Sequence, residues 1–212
     1  MNLKEKYSGK IVTLVGSPAS GKTYLGNILK EKLGATMLCE QPEQGFPEQI
    51  KSNLKNKVNL FETILFFRNI QIENHLKAID LSKSNKTVII DTPFYQNQLF
   101  IDLYIDSQFS RDVLYKMGSY DMLVYEPSDV TIYISTTTAL VKEFLNKRYG
   151  EKDWENDSWS AFISQMPTYV DLHINKIQQH LSNLIILSRE LYDFSNDSDR
   201  NKLYLLMNNV DI

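Results

Sequence analysis

The sequence predicts one α/β domain: a parallel five-stranded sheet flanked by helices on both faces. Three observations predict it. Five short apolar segments rich in β-branched residues, at 11–15, 35–39, 87–90, 130–134 and 184–187, are separated by longer stretches of helical periodicity. Strand–helix alternation of that kind is what crossover connections in a parallel sheet require. The first segment runs straight into GSPASGKT, residues 16–23, a complete G-x-x-x-x-G-K-[ST] loop, and then into a helical pattern. Finally, 212 residues with 42% hydrophobic and 23% charged side chains suit a chain that buries one substantial core.

Taken in order, IVTLV at 11–15 reads as a strand buried on both faces. The loop that follows comprises Gly16, Ser17, Pro18, Ala19, Ser20, Gly21, Lys22 and Thr23. Its glycines let the backbone wrap a phosphate chain, with amides aimed inward at a helix N-terminus. Lys22 is placed to reach β- and γ-phosphates, and Thr23 to offer its hydroxyl to Mg²⁺. The loop therefore implies a nucleoside triphosphate, with ATP and Mg²⁺ as the expected ligands. Leu25, Ile28, Leu29 and Leu33 then recur near helical spacing. The second strand ends at Glu40, and a long helix at 59–81 offers Ile64, Phe67, Ile70, Ile72 and Leu76 as core positions. The third strand ends at Asp91. Helices follow at 93–107 and 111–125, then the fourth strand, helices at 138–149 and 159–181, the fifth strand, and a closing helix at 197–208.

In open parallel sheets ligands gather beyond the carboxyl ends of the strands, where the loop, Glu40 and Asp91 all fall. Asp91 suits either of two tasks: holding Mg²⁺, or taking a proton from an attacking hydroxyl. Glu40 reads as a substrate or metal ligand rather than a solvated loop acid, because of its place at a strand end. Tyr95, close to Asp91 in sequence, is a candidate sugar contact.

Composition narrows the function. A net charge of −3 and the lack of a basic tail argue against a nucleic-acid partner. Apolar runs of about five residues are far short of the ~20 of a membrane helix, so no membrane association is expected. The charged N-terminal stretch leads into the first strand, predicting no secretory signal and a cytoplasmic location. Cys39, the only cysteine, excludes an internal disulfide and reads as a small buried apolar residue. His75, His173 and His180 lack ligand spacing. Trp154, Trp159, Phe61, Phe66 and Phe67 read as packing residues.

The ordered set GSPASGKT, LCEQPEQGFP, FETILFFRNIQIENHL, VIIDTPFYQNQLF, PSDVTIYISTTTALVKEFLNKRYGEKDWE and NLIILS resembles the deoxynucleoside kinase family over nearly the whole chain. These are ATP-dependent enzymes related to deoxycytidine, deoxyguanosine and deoxyadenosine kinases. The resemblance implies a single P-loop kinase domain over 1–212, a three-layer fold with a lid at about 148–158, and a homodimer. It also implies transfer of the ATP γ-phosphoryl to the 5′-hydroxyl of a small-molecule (deoxy)nucleoside. Asp91 matches the acid of the family's [DE]-R-S motif, which the resemblance makes the base that accepts the 5′-hydroxyl proton, and Glu40 matches the glutamate of its E-P segment near the 5′-hydroxyl and metal. Glu62 falls where a glutamine commonly reads the base edge. Arg148 opens the lid where arginines cover the transferring phosphoryl, stabilising transition-state charge.

Departures accompany these matches. Thr92-Pro93 replaces the family's Arg-Ser after the acid, and Asn97 stands where an acid usually pairs with an arginine of the long helix. That arginine position is Asn69, with Arg68 beside it. Two amides can replace the ion pair, or Arg68 takes over as substrate ligand. The lid carries Glu151, Asp153, Glu155 and Asp157 instead of several basic residues, with Lys142, Lys147 or Lys152 as compensation. Two other readings stay open: a nucleoside monophosphate kinase of the thymidylate kinase type, for which Arg68 and Arg111 would neutralise an acceptor phosphate, and a non-catalytic nucleotide sensor.

Overall fold

A computed structural model describes residues 2–40, 45–150 and 160–212, the side chains of 148–149 and 160–164 excepted. Strands β1 (Ile11–Gly16), β2 (Thr36–Leu38), β3 (Val88–Asp91), β4 (Val130–Ser135) and β5 (Leu184–Ser188) form one sheet in the order β2-β3-β1-β4-β5. Every neighbouring pair is parallel. β1 holds the centre because it can be covered on both sides, and all six of its residues are buried. Its register sets the site: Leu14 lies opposite Asp91 and Gly16 opposite Ile134, so the β3 acid emerges beside the base of the loop.

Helices cover both faces. On one, α1 (Leu3–Lys6), α2 (Lys22–Leu33) and α9 (Asp197–Asn208) pack Leu3, Leu25, Leu29, Leu33, Leu203 and Met207 against Val12, Leu14, Ile132 and Ile134. On the other, α4 (Leu60–Lys83), α5 (Gln98–Tyr104) and α8 (Ser160–Ile177) bring Ile72, Leu99, Met166, Val170 and Ile174 to Val15 and Tyr133. Each such buried aliphatic side chain contributes about 1.5–3 kcal/mol. α3 (Glu48–Asn56), α6 (Gln108–Val124) and α7 (Thr138–Tyr149) complete the described α-helices, with α6 joining α4 and α5 through Leu114, Ile64, Ile101 and Ile105. This is the three-layer α/β fold expected from the alternation.

Some details differ from expectation. The helix expected at 93–107 is a 3₁₀ turn, Phe94–Asn97, followed by α5. Pro93 fixes extended backbone there, with φ −77° and ψ 158°. Leu76, expected in the core, is exposed; the buried stripe of α4 is instead Thr63, Ile64, Gln71, Ile72, His75 and Ala78. Cys39 is exposed at the end of β2, beyond the covered part of the sheet. Residues 151–159, which hold most of the expected lid, and Gln41 to Gln44 after Glu40, lie outside the described residues.

Candidate active site

The loop is built around two backbone demands. A Cβ at Gly16 would lie 2.8 Å from Ser20 Oγ and 2.9 Å from the Ile134 carbonyl, so only glycine fits against β4. Gly21, at φ +94°, turns the chain into the first residue of α2. Ala19 is also left-handed at φ +60°, and alternating hands of this sort turn successive amides toward one point. The hydroxyls of Ser17 and Ser20 are buried with no partner among the described residues. A cradle of amides, hydroxyls and an ammonium group suits a phosphate chain. Lys22 Nζ lies 2.9 Å from both the Gly16 and Ser17 carbonyls. Burial lowers its pKa, and the charges of Asp91 and Glu40 oppose that fall.

Across the strand ends stand two carboxylates in different surroundings. Thr23 Oγ1 donates to Asp91 Oδ2 at 2.6 Å, so the hydroxyl of the loop and the acid of β3 meet as two adjacent oxygens. That donor pair fits a hard cation such as Mg²⁺. Glu40 Oε1 accepts from Gln71 Nε2 at 2.6 Å. Burial pushes the Glu40 pKa up, and the nearby Asp91 charge adds to this, while the Gln71 bond and Lys22 pull it down. One carboxylate is thus tied to the loop hydroxyl, and the other leans toward holding a proton.

The structure separates the remaining candidate residues. Tyr95 does not reach the sugar side: it is 2% exposed, its hydroxyl 2.9 Å from Thr13 Oγ1 in a buried cluster with Thr131 and Ser128. The cause is Thr13, a polar residue in the middle of an apolar strand whose hydroxyl needs partners. Asn97 is buried and donates through Nδ2 to the Ile64 carbonyl at 3.0 Å, so it ties the 3₁₀ turn to α4 rather than pairing with Asn69. Arg68 is held by Asp121 of α6, with Nε to Oδ2 at 2.7 Å and a second bond from Nη2 to Oδ1. Arg111 donates to the Ile105 carbonyl. Glu62 is exposed in the first turn of α4. Phe46, Phe66 and Phe67 form a mutually edge-on trio with ring centroids 5.2–5.9 Å apart, and all three rings flank the start of α4. The Arg148 side chain lies outside the described residues.

Sequence reasoning passed over several residues that the fold brings here. Gln71 and Gln96 sit inside apolar helical patterns, where an amide reads as a solvated position. Gln96 is 2% exposed and donates to the Gly16 carbonyl at 3.0 Å. Arg189, after β5, lies over Phe194 and Phe144 at 4.3 and 5.1 Å from the ring centroids. Its Nε is 3.9 Å from where a Gly21 Cβ would stand. Thr92 has φ +74°, a left-handed conformation that no pattern of residue types announces for a β-branched residue.

The chain has the fold seen in P-loop nucleoside and nucleotide kinases. The solved structures it is similar to are of that kind. A deoxyadenosine kinase from M. mycoides with bound dCTP superimposes with a TM-score of 0.69 and 16% identity, over 93% of this chain and 97% of that one. The same kind of enzyme with bound dATP gives 0.67 and 15% over the same shares. A thymidylate kinase from Candida albicans gives 0.62 and 15%, over 95% of this chain and 92% of the other. At these identities the likeness is one of fold. No protein-family model and no curated protein sequence matches the chain.

Proposed function

We propose that this chain is a deoxynucleoside kinase, transferring the γ-phosphoryl of ATP to the 5′-hydroxyl of a (deoxy)nucleoside in nucleotide salvage. One observation carries the reading: a half-buried Glu40, held by Gln71 at 2.6 Å, stands near the Lys22 loop and the Thr23–Asp91 pair at the strand ends. Phosphoryl transfer needs that division of labour, with cations on the phosphates and a carboxylate on the attacking hydroxyl.

In this reading Gly16 to Thr23 hold the ATP phosphates, and Lys22 leaves the loop carbonyls for the phosphate oxygens. Thr23 and Asp91 are the residues that hold Mg²⁺, which when bound offsets charge on the phosphoryl oxygens. Glu40 accepts the 5′-hydroxyl proton as attack begins, and Gln71 orients it. Asp91 is thereby assigned to the metal and Glu40 to the base. Arg148 is proposed to close over the γ-phosphoryl with the lid, which excludes water from a reactive donor. Glu62, exposed at the start of α4, remains the proposed reader of the base edge, beside the Phe46–Phe66–Phe67 trio.

A neutral acceptor is favoured over a monophosphate by the arginines. Among the described residues Arg68 is paired with Asp121 and Arg111 donates through Nε to the Ile105 carbonyl, so both arginines expected to meet an acceptor phosphate are already engaged elsewhere. The thymidylate kinase reading, which shares the fold, needs such a cation. ADP release with MgATP decides between them, measured over four deoxynucleosides and their monophosphates with Lys22→Ala as control. Lys22-dependent turnover of a nucleoside is expected. Turnover of monophosphates alone would install the rival, and ATP binding without turnover of any acceptor would install a sensor. We further propose a cytoplasmic homodimer. No helix among the described residues is long and apolar enough to cross a membrane.

A further inference from the structure

The Gly16 carbonyl accepts from two side chains, Lys22 Nζ at 2.9 Å and Gln96 Nε2 at 3.0 Å. Only one of them can stay when nucleotide binds. Lys22 must leave the carbonyl to reach a phosphate, and a buried carbonyl stripped of its donor costs free energy. Gln96 has no such second task. It is 2% exposed, and its Oε1 is buried with no partner among the described residues. An amide kept dry with its acceptor end unpaired is expensive as packing alone, so its donor end is what the fold retains it for. Two contacts and one backbone constraint fix the segment that carries it. Asp91 is tied to Thr23, Asn97 is pinned to the Ile64 carbonyl, and Pro93 sets the intervening backbone.

We propose that Gln96 is a positioning residue for the phosphate loop: it keeps the Gly16 carbonyl satisfied, so that Lys22 is released to the nucleotide without stranding that carbonyl. The proposal rests on the nucleotide-binding reading of the loop and makes a claim that reading does not. Without Gln96, Lys22 is the side-chain donor left to Gly16 in the free protein, and binding then strands the carbonyl. With Lys22 already removed, the carbonyl's situation is the same before and after binding, so loss of Gln96 changes nothing further. The Ser17 carbonyl loses Lys22 on binding in both chains that keep Lys22 and in neither Lys22→Ala chain, so it cancels from the comparison.

The test is a double-mutant cycle on MgATP affinity, read by isothermal titration calorimetry, with Gln96→Met, Lys22→Ala and the double variant. Gln96→Met removes the donor at similar volume, and Gln96→Leu serves if it fails to fold by circular dichroism. The expected result is about tenfold weaker binding for Gln96→Met in the parent chain, the size of one buried hydrogen bond, and no further weakening in the Lys22→Ala background. Equal weakening in both backgrounds would make Gln96 a structural residue and overturn the proposal. So would unchanged affinity in the parent. Absence of nucleotide binding by the parent chain is a different outcome: it overturns the reading of the loop itself, and this inference with it.

Discussion

Glu40 and Asp91 are both carboxylates at strand ends, and their neighbours differ. Asp91 accepts from the Thr23 hydroxyl, whereas burial holds the Glu40 pKa above the ordinary carboxylate value. Glu40→Gln is therefore expected to lower kcat by about 10²–10⁴ with little change in ATP binding, as loss of a general base does. Asp91→Asn is expected to raise the Mg²⁺ concentration needed for half-maximal rate. The pH profile follows from the direction of the shift. A base acts only when ionised, so turnover falls as pH drops through the raised Glu40 pKa, at higher pH than an ordinary glutamate would impose. The Gln71 bond pulls that pKa down, so Gln71→Leu moves the acid limb of the profile to still higher pH. For stability the sign is reversed. A raised folded pKa favours the protonated form, so Glu40's contribution is full below its unfolded pKa and is lost as pH rises through the folded one. Thr92 is the second residue-scale case. A β-branched residue at φ +74° between Asp91 and Pro93 stores about 1–3 kcal/mol of backbone strain. Asparagine tolerates that conformation better, so Thr92→Asn should raise Tm by about 2–4 °C per kcal/mol relieved, checked by calorimetry. If Tm falls instead, the strain is not where the stability is lost.

At the scale of the element, α4 shows why part of the site was hidden in the sequence. Apolar periodicity placed the helix at 59–81, and it runs Leu60–Lys83. Its buried stripe, however, mixes Gln71 and His75 with Ile64, Ile72 and Ala78. Pattern counting credits Ile and Leu and so chose Leu76, which water covers. The polar stripe is buried because each member finds a partner: Gln71 in Glu40, and His75 in the Glu126 carbonyl at 2.9 Å. Arg68 finds Asp121, fifty-three positions away, a separation no local pattern reports. The Asp121 side chain is 3% exposed and that of Arg68 19%, so this pair is largely dry. Arg68→Met then leaves a buried carboxylate without its cation and should cost about 3–5 kcal/mol. Adding Asp121→Leu should recover most of that loss, because two apolar side chains fill the space between α4 and α6. Chemical denaturation of the three chains measures it. A double variant as unstable as Arg68→Met would mean that the helices are held by the pair's geometry and not by its charge balance.

For the whole molecule, the sheet was the legible part, and the reason is physical. Its inner strands β3, β1 and β4 are covered on both faces, so they read as unbroken apolar runs, and the parallel order follows from the helices between them. The short polar α3 carried no such signal, and α1 has four residues, too few for one. The loop, Glu40 and Asp91 were legible because strand ends are where such sheets place ligands. Gln96 and Gln71 were not, because only the tertiary arrangement carries them to those ends. The proposed homodimer is a question at this scale too. Outward-facing side chains of α6 include Leu123 at 87% exposure, Phe109 at 79% and Tyr120 at 62%. Apolar groups of that size on one helix stabilise an interface by roughly 25 cal/mol for each Å² they bury. Sedimentation equilibrium should therefore find a dimer in the parent chain and a monomer, or a dimer at least tenfold weaker, for Leu123→Glu. Circular dichroism should be unchanged, since Leu123 contributes little to the core. A parent chain that sediments as a monomer at all accessible concentrations would remove the dimer from the proposal, and leave α6 exposed for another reason. A dimer indifferent to Leu123→Glu would move the interface to a different helix.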